Sequence, residues 1–244
     1  MDFQQSSASA QANFLALTQN VYPGRGIIVG LDETSQHLIQ VYWIMGRSEN
    51  SRNRVFKADN ETGRLYTEAA DASKMQDPSL IIYNAMRERV PHYVVSNGDQ
   101  TDTVLKEMRG HYALQSALAT RTHEPDAPNF TQRITAMSSL HMGGGFVQLS
   151  VLRKSALGEG CDRLTYEYNN PPPGFGFCVT TYSGDGNPLP PFRGDPLLMP
   201  LAGGMKDVAQ NYWDALDKDN RVALAVKFIE QGNGRSDIHI INKF

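Results

Sequence analysis

Apolar positions in this chain come mostly as short runs rich in β-branched and aromatic residues, divided by Gly, Pro, Asn and Ser. Gly26-Ile-Ile-Val-Gly-Leu-Asp32 reads as a strand, Glu33 to Gln36 as a turn and Leu38 to Met45 as the return strand. Two such runs around a short polar loop predict a hairpin. Val55 to Lys57, Gly63 to Thr67 and His92 to Val95 predict further short strands, the last ending in the turn residues Ser96-Asn97-Gly98-Asp99. Ser79 to Ile82 is apolar, and Tyr83 to Arg89 continues it as strand or opens a helical turn. Arg133 to Leu140, Phe146 to Leu152, Arg163 to Tyr168 and Phe177 to Tyr182 predict four more strands. Val222 to Ile229 and Ser236 to Ile241 form a closing pair around Gln231-Gly-Asn-Gly.

Helical spacing is rarer. It predicts helices near Thr101 to Met108, His111 to Ala119 and Met205 to Leu216; in the last, Val208, Ala209, Tyr212 and Leu216 share one face. Residues 1 to about 12 are small and polar and read as loosely ordered, with Phe14, Leu15 and Leu17 anchoring a short helix onto the body. Pro125 and Pro128 make 122–130 a loop, and the Gly/Pro-rich stretches 169–176 and 183–200 read as long connections. Strands outnumber helices and come as hairpins, not in β–α alternation. That favours an α+β fold with antiparallel sheets over a doubly wound one, as two sheets with helices outside. The expected organisation is an extension over residues 1–20 and one domain over 21–244.

Composition narrows the function classes. With 244 residues and two cysteines, Cys161 and Cys178, the chain can build a core without a disulfide framework. A net charge of −3 argues against a binder of polymeric nucleic acid. No apolar run is long enough for a transmembrane helix, and the first residues do not read as a signal peptide, so the expected location is cytoplasmic. Gly24-x-Gly26-x-x-x-Gly30 has the wrong spacing for a dinucleotide fingerprint and enters a hairpin. The six histidines are scattered, His123-Glu124 is followed by Pro125, and no metal site is expected. Gly143-Gly144-Gly145 reads either as an oxyanion turn or, more simply, as a backbone bend before a strand.

Local charge differs from the average. Arg47 to Lys57 holds four basic residues and one acid, with Ser48, Asn50, Ser51 and Asn53 between them. Arginine offers a planar fork of donors suited to phosphate. Tyr22-Pro23-Gly24-Arg25 precedes the first strand, and Ser96 to Asp102 places amides and hydroxyls at a helix start. Glu124 to Arg133 sets acids between prolines in a loop, which suits acid–base work. Each stretch also has a plain reading, as a solvated loop, a helix cap or an acidic surface turn.

Together these pieces resemble the archaeal-type inosine monophosphate (IMP) cyclohydrolase family. The resemblance lies in Tyr22-Pro-Gly-Arg25, the Arg47 to Arg54 cluster, Pro78-Ser-Leu-Ile-Ile-Tyr83-Asn84-Ala-Met-Arg87, Val95-Ser-Asn-Gly-Asp-Gln-Thr-Asp102 and the Glu124 to Arg133 loop. It covers about residues 21–155. The Arg52-Asn53-Arg54 ending departs from the Pro-Asn-Arg expected of archaeal members, and the added N-terminal residues and the 169–200 loops suggest a bacterial branch. The resemblance implies an α-β-β-α sandwich like that of N-terminal-nucleophile hydrolases, without autoprocessing, and a homo-oligomer. It implies closure of 5-formamidoimidazole-4-carboxamide ribonucleotide (FAICAR) to IMP, with no cofactor or metal. The catalytic residues it points to are Arg54, Tyr83 and Glu124. Arg25, Arg47, Asn53, Asn84, Asn97 and Asp99 are the candidates for holding phosphate and ribose. The alternative is a non-catalytic purine-nucleotide binding or regulatory protein. A third reading, an amide hydrolase, would need Cys161 or Cys178 as nucleophile.

Overall fold

The computed structural model describes residues 3–75, 78–108, 113–141 and 144–244. The expected helix start at His111, and Gly143 of the glycine run, lie outside them. Among the described residues the strands form two antiparallel sheets. One has six strands: β1 (Gly26–Leu31), β2 (His37–Met45), β10 (Phe175–Thr180), β11 (Leu197–Pro200), β12 (Arg221–Glu230) and β13 (Ser236–Asn242), ordered β11-β10-β1-β2-β12-β13. The other has seven, in chain order: β3 (Val55–Asp59), β4 (Arg64–Glu68), β5 (Asn84–Arg89), β6 (His92–Ser96), β7 (Arg133–His141), β8 (Gly144–Lys154) and β9 (Cys161–Asn169).

Alternation along each strand explains the layering. Ile27, Val29, Tyr42 and Ile44 of the first sheet meet Phe56, Met86, Tyr93, Val95 and Ile134 of the second in one core between the sheets. Ile28, Val41, Trp43 and Leu224 point the other way, onto helices α1 (Phe3–Gln19) and α5 (Met205–Ala215). Val94 and Met137 of the second sheet pack under α3 (Gln100–Glu107) and α4 (Ala113–Ala117). The order is thus helices, sheet, sheet, helices. β1 is buried at every position because both its faces are covered, so it reads as an unbroken apolar run. The fifth helix, α2, is the single turn Glu49–Arg52, capped by Ser48, whose side chain accepts from Ser51 N–H at 3.1 Å.

Two expectations need correction. Residues 3–12 are not loosely ordered: they belong to α1, a continuous 17-residue helix that extends the short one expected around Phe14 to Leu17. Its sequence has no Gly or Pro, and Ser6, Ala10 and Leu17 recur on one buried face beside Phe14. Small residues there let the helix lie close to β11. Second, the connection 183–200 contains β11, which pairs with Phe175 to Cys178 of β10. The open choice at Tyr83 to Arg89 resolves as strand β5, while Ser79 to Ile82 forms turns. No described helix is long and apolar enough to cross a membrane.

The seam between the sheets also holds polar groups. Lys227 on β12 is fully buried; its Nζ donates to the Gly63 carbonyl at 2.8 Å and pairs with the Glu88 carboxylate of β5. Burial pushes this ammonium below the ordinary lysine range, and Glu88 pulls it only part of the way back.

Candidate active site

The ends of strands from both sheets meet at one end of the sandwich. Arg25 immediately precedes β1, and β2 runs out at Met45 into the loop carrying Arg47 and Arg54. Tyr83 immediately precedes β5, and the 122–132 loop leads into β7. Between these ends lies a cavity of about 460 Å³, within the usual ~300–1,000 Å³ range of small-molecule sites. Arg25, Arg47, Arg54, Glu124 and Asp126 supply its charges, and Tyr22, Ser48, Asn50 and Tyr182 line it as well.

Gly24 makes the entry into β1 possible. Its φ of +71° suits glycine, and a Cβ there would stand 2.2 Å from Thr181 Oγ1 and 2.5 Å from the Tyr182 ring. The turn aims Arg25 inward. Its Nη2 donates to Glu124 Oε2 at 2.8 Å and its Nη1 to the Asn97 carbonyl at 3.1 Å. Burial opposes the Arg25 cation, but the Glu124 carboxylate, Tyr83 and Tyr42 together more than offset this, so the guanidinium is held well above its ordinary range. Glu124 is buried and Arg25 is largely out of water, so the pair is little screened.

Tyr83 does not line the cavity itself but is close enough to Arg25 to act on its charge. Its hydroxyl shares a 2.6 Å hydrogen bond with that of Tyr42, a core residue of β2. Burial, reinforced by Tyr83, pushes the Tyr42 phenol well above the usual tyrosine range, so Tyr42 keeps its proton. Arg54, 3% exposed, gives Nε to the Ser51 carbonyl at 2.8 Å and Nη2 to the Met45 carbonyl at 3.3 Å. Among the described residues no carboxylate forms an ion pair with it.

The rim is aromatic. The Arg47 guanidinium sits 4.1 Å over the Tyr22 ring, and Tyr22 stacks on Tyr182 at 6.0 Å. Arg47 Nη1 also pairs with Asp185 at 2.6 Å, which raises the Arg47 cation above its ordinary range. Burial raises the Tyr22 phenol, while Arg25, Arg54, Arg47 and Arg52 all pull it down. Burial pushes the Tyr182 hydroxyl up to about 12. The loop bearing Glu124 is closed on itself: Glu124 N–H donates to the Thr131 carbonyl at 2.8 Å, and Thr131 N–H to Asp126 Oδ1 at 2.6 Å. Thr131 Oγ1 also donates to Asp126 and meets the Tyr182 hydroxyl.

The structure therefore brings Arg25, Arg47, Arg54 and Glu124 to one cavity, with Tyr83 near Arg25 but outside its lining. It does not bring the other four candidate side chains there. Asn53 is spent on bracing, its amide donating to the Asp71 carbonyl at 2.8 Å and accepting from Asp71 N–H at 2.7 Å. Asn84 accepts from Arg64 at 2.6 Å and donates to Asp102 at 2.8 Å on the outside of the second sheet. Asn97 is fully buried and bonds Gln132, Gln100 and Ile134, so only its carbonyl serves the site, through Arg25. Asp99 is exposed and pairs with Arg121 and Arg133; against partial desolvation, those hydrogen bonds and charges hold its carboxyl low.

Tyr22, Asp126 and Thr131 lie inside stretches the sequence singles out, whereas Tyr182 and Asp185 lie outside them. The one signal for Asp185 was the length of the Gly/Pro loop holding it. The thiols do not face this cavity. Cys178 is buried in β10, where burial pushes it far above the ordinary thiol range, and Cys161 Sγ donates to the Asp162 carbonyl at 3.5 Å. Among the described residues no group of three or more His, Cys, Asp or Glu is placed to hold a metal ion. The groove between α1 and α5, of similar volume, has Asp214 but no cation in its lining.

A family model described as "IMP cyclohydrolase-like protein" matches residues 22–234. No curated protein matches the chain.

Proposed function

Since the chain belongs to the IMP cyclohydrolase-like family, we propose that this cavity binds a purine nucleotide and closes FAICAR to IMP. The observation that carries the reading is that Glu124, buried against Arg25, lines the same cavity as Arg54, a cation no described carboxylate neutralises. We read the layered sandwich as the type seen in N-terminal-nucleophile hydrolases, used without that nucleophile.

The reaction joins the carboxamide nitrogen to the formyl carbon. The carboxamide gives up one proton, the formamido nitrogen gives up its own, and the former formyl oxygen leaves as water. Both reacting groups sit on one imidazole, so holding the carboxamide turned toward the formyl carbon supplies a large part of the acceleration. Glu124 accepts at the carboxamide N–H through Oε1, the oxygen Arg25 leaves open. Arg54 polarises a substrate carbonyl as charge develops on oxygen. When the Tyr42 hydroxyl is the donor in the hydrogen bond the two tyrosines share, the Tyr83 proton is free for the oxygen that departs. Arg47, at the rim, faces the phosphate end. Asn53 and Asn97 act on the site by holding its loops.

The test is a ring-closure assay with purified protein and FAICAR, followed by ultraviolet absorbance with no metal or cofactor added. Turnover above the spontaneous rate is expected; stabilisation by IMP without turnover would instead make the protein a nucleotide binder. Tyr83→Phe keeps the ring and removes the donor, and should lower kcat by about a hundredfold with IMP binding intact. A wild-type kcat in that variant would remove Tyr83 from the chemistry.

A further inference from the structure

Three cations line the cavity, and each is balanced differently. Arg25 is paired with Glu124, with side chains 11% and 4% exposed. Arg54 rests on backbone carbonyls. Arg47 is paired with Asp185, with side chains 36% and 57% exposed. An ion pair open to water holds together weakly, whereas one taken out of water does not release its partners readily. Arg47 is thus the cation whose carboxylate a ligand displaces most easily.

The surroundings suit such an exchange. The Tyr22 ring lies 4.1 Å beneath the Arg47 guanidinium, and Tyr182 backs Tyr22, so the cation keeps a support when its carboxylate leaves. Asp185 needs only to rotate away: it sits in an exposed turn, where its Oδ1 also accepts from Gly186 N–H at 2.6 Å. That turn adjoins the cavity, because Gly186, Asn187 and Leu189 line it.

We infer that Asp185 stands in for the anionic group of the ligand, holding Arg47 over Tyr22 at the cavity mouth until a phosphate takes the carboxylate's place. The exchange makes Asp185 a built-in competitor. A phosphate dianion, able to accept both arms of the guanidinium fork, wins the position, while a neutral nucleoside gains nothing from Arg47. This rests on the reading of the cavity as a nucleotide site.

The test measures binding of IMP, inosine and inorganic phosphate to the full chain and to Asp185→Asn and Arg47→Gln, by calorimetry at low and at physiological salt. Asp185→Asn should bind IMP and phosphate roughly three- to tenfold more tightly at low ionic strength, with a smaller gain in salt. Inosine should bind it no better than wild type. Arg47→Gln should weaken IMP and leave inosine unchanged. IMP binding equal to or weaker than wild type in Asp185→Asn overturns the inference while leaving the nucleotide reading standing. If IMP does not bind the wild-type protein, the nucleotide reading fails. In that case tighter inorganic phosphate in Asp185→Asn upholds the exchange, and unchanged or absent phosphate binding ends it.

Discussion

Replacing Glu124 with glutamine should slow ring closure by about 10²- to 10⁴-fold, the range that positioned acid–base groups supply. The substitution keeps the shape of the side chain. It also keeps an amide oxygen for Arg25 Nη2, which now donates to Oε2 at 2.8 Å. What disappears is the negative charge and the capacity to take a proton from the carboxamide. IMP affinity should hold or rise, because one negative charge leaves a cavity that receives a phosphate. The loss should therefore fall on kcat and not on KM. Arg25 is largely out of water and loses its counter-charge, so the variant should also be less stable, though still tied to the Asn97 carbonyl at 3.1 Å. Circular dichroism and denaturant unfolding separate that effect from lost chemistry. Ring closure at the wild-type rate in a folded variant would strip Glu124 of its role; a raised KM with unchanged kcat would recast it as a binding residue.

The Arg25–Glu124 pair also marks the limit of what the sequence disclosed. The two residues are 99 positions apart, and no local pattern says that one reaches the other. Each was legible as a candidate because it stands beside a strand start or in a proline-bounded loop. The hairpin β1–β2 was legible for a firmer reason: its two runs are adjacent, and both faces are buried, so the apolar signal is dense. Strand β11 was hidden because it is four residues long and its partner β10 lies across a long Gly/Pro connection. The first turns of helix α1 were hidden because Ser and Ala serve as its buried face, and small residues look like a polar tail when read without the sheet they pack on; the apolar signal is confined to its end, at Phe14 to Leu17. The amides were the least legible. Asn53 and Asn97 have the chemistry to bind a ribose, but each is saturated by the backbone of a neighbouring loop, and that follows from tertiary contact alone. Asp185 failed in the opposite way, since its neighbours Gly184 and Gly186 mark only a turn.

The largest loss of stability is expected from Lys227→Met alone, at the far side of the seam from the cavity's chemistry. The ammonium is fully buried and anchors on Glu88 and the Gly63 carbonyl, with the Tyr93 ring 5.4 Å away. Removing it leaves the Glu88 carboxylate in the seam with, among the described residues, the Ser236 hydroxyl, which donates to it at 2.8 Å. Breaking a buried pair from one side costs about 3–5 kcal/mol, which for a chain of this size lowers Tm by roughly 10 °C. Removing both charges is a different experiment. Burial depresses the Lys227 ammonium more than Glu88 restores it, so desolvation outweighs the attraction between the two. Lys227→Met combined with Glu88→Leu should therefore recover most of the lost stability, the remaining deficit being the Gly63 carbonyl left without its donor. A thermal-unfolding double-mutant cycle reads the coupling directly. If the double variant is as unstable as the sum of the singles, the charges are not coupled, and the pair contributes through packing of the lysine stem alone.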